Sequence, residues 1–175
     1  MFTLPTGRTT MIGSMPHKNA HDALDALNRF PLGIPVWPQL PKRAFKEGMM
    51  PQYSEGFPGI FIDEPGRRIW LERTDALLND MASFYEHIMA EEVDALAISS
   101  ENAAGFHAFI KSLENQSGKL PVVKAQVTGP FTFGLSINDE TGKAIWFDEQ
   151  YRDIIVKGLA GKALWQAAQL EKFAE

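Results

Sequence analysis

Three features of this sequence predict an α/β fold. Short β-prone runs alternate with segments of helical period, four of those runs qualify as strands of one sheet, and one further pair of runs reads as a hairpin set among them. A complete (β/α)8 barrel needs about 250 residues, and this chain has 175. The alternation therefore fits either the first half of such a barrel, with an inserted β-hairpin, or a small open α/β sheet.

The elements follow in order. Thr9 to Ser14 is β-prone and ends in glycine and a hydroxyl, as a strand entering a loop does. From Asn19 to Phe30, Ala20, Ala23, Leu24, Leu27 and Phe30 recur at helical spacing, and Asn19 is a natural N-cap. Pro31 and Gly33 close that helix. Ile34 to Leu40 is a second strand candidate, shortened by prolines that lack an N–H for the ladder. Residues 41–59 carry no steady period and read as mostly loop, with one helical turn around Ala44 to Glu47. Ile60-Phe61-Ile62 and Arg68-Ile69-Trp70-Leu71 flank Asp63-Glu64-Pro65-Gly66, which predicts a hairpin over 60–71. A helix is expected from Thr74 to about Ala90, a strand from Val93 to Ser100, and a helix from Ala103 to Leu113. Val122 to Val127 gives the fourth strand candidate, stopped by Thr128-Gly129-Pro130, and Phe147 to Phe173 gives a long last helix.

Composition narrows the function classes. The chain is 45% hydrophobic and 22% charged, the balance of a globular protein with a sizeable core. Its 22 acidic and 17 basic residues give a net charge of -5 with no basic block, which argues against nucleic-acid binding. No stretch is long and apolar enough for a membrane span, and residues 1–20 lack the apolar core of a signal peptide, so a cytoplasmic protein without a membrane partner is expected. Cysteine is absent, which removes disulfides, a thiol nucleophile and thiolate metal ligands. No metal site is assigned.

Candidate binding residues cluster where strand candidates meet loops. Gly13 and Ser14 offer close backbone approach and a hydroxyl, either for a ligand or for an ordinary turn. His17 is either a proton carrier or the closure of the next helix. Glu101, beside Asn102, follows a strand of small apolar residues, where a carboxylate meets a ligand or simply favours a helix start. Gln126 and Thr128 alternate along one strand and so point to one side. Asp63 and Glu64 sit at the hairpin tip and read as solvent-exposed.

Two stretches carry a family resemblance. Thr9-Thr10-Met11-Ile12-Gly13-Ser14-Met15-Pro16 resembles the opening strand and loop of the catalytic barrel in cobalamin-independent methionine synthases. Lys124-Ala125-Gln126-Val127-Thr128-Gly129-Pro130-Phe131-Thr132 is similar to a strand and loop shared by those enzymes, uroporphyrinogen decarboxylases and corrinoid methyltransferases. The resemblance implies that residues 1–175 are the N-terminal half of a TIM barrel and a fragment of a longer chain, inactive alone. The charged helical end from Leu170 to Glu175 agrees with a cut through such a chain.

For function, the resemblance implies methyl transfer to a thiol such as homocysteine in methionine biosynthesis. Ile12 and Ser14 would hold the substrate carboxylate and Glu101 its amino group, while no catalytic residue is assigned. Zinc would be held by the second half, with a folate or corrinoid as methyl donor, and no cofactor falls in this segment. The partners expected are the thiol or methyl donor and either the missing C-terminal half or a second copy. The alternatives are a uroporphyrinogen decarboxylase-like enzyme and a non-catalytic half-barrel that binds or assembles.

Overall fold

The structure is a computed structural model that describes residues 7–174. Helix α1, Ala20–Asn28, starts where Asn19 Oδ1 accepts the amides of His21 at 2.7 Å and Asp22 at 3.4 Å, and it buries Ala23, Leu24 and Leu27. A short helix α2, Met49–Ser54, follows a 3-10 turn at Phe45–Glu47. Strand β1, Ile60–Asp63, pairs antiparallel with β2, Arg68–Leu71, with Ile60 opposite Leu71. The turn between them is tied by Asp63, which accepts from the Gly66 amide and the Arg68 guanidinium. Then come α3, Leu77–Met89, α4, Ala104–Glu114, and α5, Pro130–Ser136, the last opened by a proline that has no N–H to orphan. Strand β3, Asn138–Asp139, adds parallel to β2, and α6, Glu149–Leu170, completes the order.

The core forms where the helices meet the second extended segment. Trp37 meets Phe106 edge-on at 5.7 Å, Phe106 meets Trp165 at 5.0 Å, and Phe57 meets Phe133 at 5.3 Å. Helix α4 approaches residues 36–40 so closely that a Cβ at Gly105 would lie 1.7 Å from the Pro38 carbonyl oxygen. On α6 the buried face runs through Ile155, Leu159, Lys162, Trp165 and Gln166, whereas Leu164 is exposed.

The predicted fold class does not hold. Among the described residues, helix makes up 48% and strand 10%, in one open sheet of order β1-β2-β3, so this is a largely helical domain and not the first half of a (β/α)8 barrel. The reason lies in the strand candidates. Pro35, Pro38 and Pro41 interrupt 34–41, and what remains are isolated parallel bridges, Ser14 with Gln39 and Val36 with Lys124. Val93 to Ser100 begins instead as a 3-10 turn, Val93–Leu96, after Glu91 takes a left-handed φ of 55°. Side chains then satisfy its backbone: Glu55 accepts from the Ser99 amide and His107 Nε2 lies 2.8 Å from Ile98 O. Glu175, on which the reading of a cut chain turned, lies outside the described residues.

Candidate functional site

The two parallel bridges set a direction. The segments around 12–15, 36–39 and 124–127 run the same way, so the residues that follow each of them gather at one end. With almost no ladder available, side chains link the segments. The Ser14 hydroxyl donates to Gln39 Oε1 at 2.9 Å, Gln39 Nε2 donates to Gln52 Oε1 at 2.8 Å, and Gln52 Nε2 donates to Asn102 O at 2.6 Å. A second branch centres on Gln126. Its Oε1 accepts from the Gly13 amide at 3.2 Å, and its backbone carbonyl accepts from the Tyr53 hydroxyl at 2.8 Å and from Gln166 Nε2 at 2.9 Å. Gln166 Oε1 in turn takes the Trp37 indole N–H at 3.0 Å.

Position 13 must be glycine for this contact, because a Cβ there would stand 2.1 Å from Gln126 Nε2. Lys124 reaches from the third segment to Met11 O at 2.8 Å. Burial pushes the Tyr53 hydroxyl above the usual tyrosine range, so it remains a proton donor to Gln126 O.

Most buried polar atoms in a folded protein have partners. Three here have none among the described residues: His17 Nδ1, Glu47 Oε2 and Thr128 Oγ1. His17 and Thr128 belong to the loops directly after the first and third parallel segments, and Glu47 ends the 3-10 turn that comes eight residues after Gln39 in the second. Glu47 is wholly buried; burial pushes its carboxyl up, and the Arg43 guanidinium bonded to its other oxygen pulls it back down. The same Arg43 donates to Glu101 O at 3.2 Å, which places Glu47 beside the 101–102 corner where the first branch ends.

The predicted residues therefore separate into two groups. Gly13, Ser14 and Gln126 are joined by the network, and Thr128 and His17 carry unpartnered buried atoms at the same end. Ile12 is 83% exposed, and the Glu101 side chain is 77% exposed and paired with Lys46 at 3.3 Å. Gln39, Gln52, Glu47 and Gln166 are absent from the sequence-based candidates. No motif marks them in the sequence: Gln166 lies on the face of α6 that buries Lys162, and the apolar spacing does not single out that face.

Two surface cavities lie elsewhere. One of about 360 Å³ is lined by Phe57, Asp80, Ser83, His87 and Leu96, and one of about 460 Å³ by His87, Glu92, Val93, Leu96, Lys157 and Leu164. Of their polar groups, His87 is paired with Glu92 at 2.6 Å and Lys157 with Asp153, and none of the three unpartnered buried atoms lines either cavity. Among the described residues no group of three or more histidine, aspartate or glutamate side chains is placed to hold a metal ion. No helix among them is long and apolar enough to cross a membrane.

The chain matches no family model, no curated protein and no solved structure in the three comparisons made. With no barrel and no such match, the resemblance to methionine synthases and uroporphyrinogen decarboxylases reduces to two short motifs. Methyl transfer to a thiol, its place in methionine biosynthesis, the decarboxylase alternative and the half-barrel assembly reading fall with it. Short runs such as Ile-Gly-Ser and Thr-Gly-Pro recur wherever a chain leaves an extended segment for a loop, because glycine and proline end such segments for general steric reasons.

Proposed function

We propose that the end of the three parallel segments binds a small polar molecule, contacted by Ser14, Thr128 and His17, with Glu47 behind them and Gly13 and Gln126 shaping the wall. The observation that carries this reading is the set of three buried, unpartnered polar atoms in the two loops and the 3-10 turn that come after the parallel segments. An unsatisfied buried polar atom costs about 1–3 kcal/mol, and a ligand that bonds to it recovers that loss.

Thr128→Val separates this reading from a purely structural one, because it keeps the side chain's shape and deletes the unpartnered hydroxyl. The variant is expected to be as stable as the parent or more stable, by about 1 kcal/mol, and to bind small polar probes about tenfold more weakly. The check is an NMR titration with glycerol, lactate and acetamide, following the side-chain amides of Gln39 and Gln126. Shifts confined to the cavities around His87, or none at all, would refute the site.

A second reading concerns partners, and one observation favours it. Ile12 and Val127, the neighbours of Gly13 and Gln126, are exposed, as is Phe131 beyond them. Association of two copies through this apolar rim would shield the polar site from water. Sedimentation over a concentration series is expected to show a dimer that Ile12→Asp dissociates; a monomer at all concentrations would eliminate it.

A further inference from the structure

The hydrogen-bond chain that begins at Ser14 has only one consistent direction. It ends on Asn102 O, a backbone carbonyl, which can only accept. The Gln52 atom facing it must therefore be the amide nitrogen, which turns Gln52 Oε1 toward Gln39. That oxygen requires the Gln39 nitrogen as its donor, and Gln39 Oε1 is left facing Ser14. The Ser14 hydroxyl has one proton, and the chain takes it inward. Outward, where Ser14 is exposed, its oxygen offers lone pairs alone.

The orientation of Gln126 is fixed in the same way from the opposite kind of anchor. The Gly13 amide can only donate, so the facing atom is Oε1, and Nε2 turns toward Trp37 O at 3.4 Å. At the corner of the site, Glu47 Oε2 belongs to a carboxylate already bonded to Arg43 and also offers lone pairs. Thr128 Oγ1 and His17 Nδ1 can take either role. Lys124 is the cation carried by these segments, and its ammonium is turned onto Met11 O.

From this directionality we infer that the site selects a neutral hydrogen-bond donor, a small polyol, and discriminates against its carboxylate analogue. The inference rests on the reading of this end as a ligand site and specifies what that ligand presents. A hydroxyl facing Ser14 meets a ready acceptor, whereas a carboxylate there faces the lone pairs of Ser14 with no proton between them. For the carboxylate to bind, the whole relay through Gln39 and Gln52 would have to reverse, and reversal would set Gln52 Oε1 against Asn102 O. Buried polar networks select partners in this manner because an unmatched atom loses a bond it had in water.

The test is a pair of ligands that differ at one terminus, erythritol and erythronate, titrated against the whole chain and followed at the Gln39 side-chain amide. Erythritol is expected to bind at least tenfold more tightly, and Ser14→Ala to weaken erythritol binding about tenfold while nearly abolishing the preference. Ser14 is exposed, so the variant is expected to fold, and its thermal unfolding curve checks that it does. If erythronate binds as well as or better than erythritol, the donor-selective site is overturned while the ligand site itself stands. Failure of both to bind overturns both readings.

Discussion

Gly105→Ala is expected to destabilise the chain by about 3 kcal/mol, a large share of the stability of an ordinary domain. The added methyl would stand 1.7 Å from the Pro38 carbonyl oxygen and 2.9 Å from its carbon. Both are backbone atoms, so no rotamer change relieves the contact. Backbone movement is also resisted, since Trp37 before Pro38 is fully buried and Gln39 after it exchanges backbone bonds with Gly13 and Met15. Urea unfolding measures the effect, with Gly129→Ala as the control because a Cβ there meets nothing within 4 Å. Equal midpoints for the two variants would mean that α4 can move off residues 36–40 freely. A shift at Gly105 alone would tie the site's geometry to that helix, because Gln39 is the hub of the first branch.

The second large effect is a gain. Lys162 is fully buried on α6, with its ammonium 3.3 Å from Leu96 O and near the face of Phe57. Burial pushes the amine down to about 8, against the pull of the Glu55 carboxylate, which acts in the opposite direction. Unfolded, the same amine titrates near 10.5. Between these values the unfolded chain binds the extra proton, so wild-type stability rises with pH across that window. Below about pH 8 both states are charged and the full burden of the buried charge remains. Lys162→Met removes it, and the variant is expected to be more stable at pH 7 by about 3 kcal/mol. That margin shrinks through the window and is small above it. Urea denaturation of both proteins at pH 7 and pH 10.5 gives the comparison; a margin that does not change with pH would place the Lys162 charge in water.

What could be read from the sequence was local. Asn19 capping a helix whose apolar residues recur at helical spacing is a signal contained within ten residues, and α1 follows it. The long helix at the end was equally plain from its length, and α6 spans Glu149–Leu170. Which face it buries was not plain, because alanines and leucines surround the helix and the decisive buried positions include Lys162 and Gln166. The strand candidates misled for a different reason. A β-prone run reports that a segment can be extended, but a ladder also needs N–H groups in register: prolines interrupt the 34–40 segment, and Val93–Leu96 turns as a 3-10 helix instead of extending.

The candidate site was half visible for a related reason. Ser14 and Thr128 stand beside Gly13 and Gly129, and Gln126 is two residues before Thr128 on the same extended segment, which glycine and proline then end. Gln39 and Gln52 lie in or beside a proline-rich stretch without period. An amide in such a stretch has no motif that separates a buried hub from a solvated loop residue. The glutamate chosen from sequence, Glu101, faces solvent, while Glu47, at the end of a helical turn in a stretch read mostly as loop, is the buried one. Spacing along the chain cannot rank two carboxylates whose burial is decided by which segments pack over them.

The hydrogen bond between the Trp37 indole and Gln166 bears on timing during synthesis. It joins residues 129 positions apart, and the contact of Gly13 with Gln126 spans 113. Contacts of such separation form late, since the chain must close a long loop before they return any stabilisation. A ribosome that has released only residues up to the end of α5 has delivered Ser14, Gln39 and Thr128 but not the residue that locks Trp37 and Gln126 in place. The arrangement of these residues is consequently completed only when α6 emerges, and a nascent chain halted before residue 166 would carry Ser14, Gln39 and Thr128 yet hold them in no fixed arrangement.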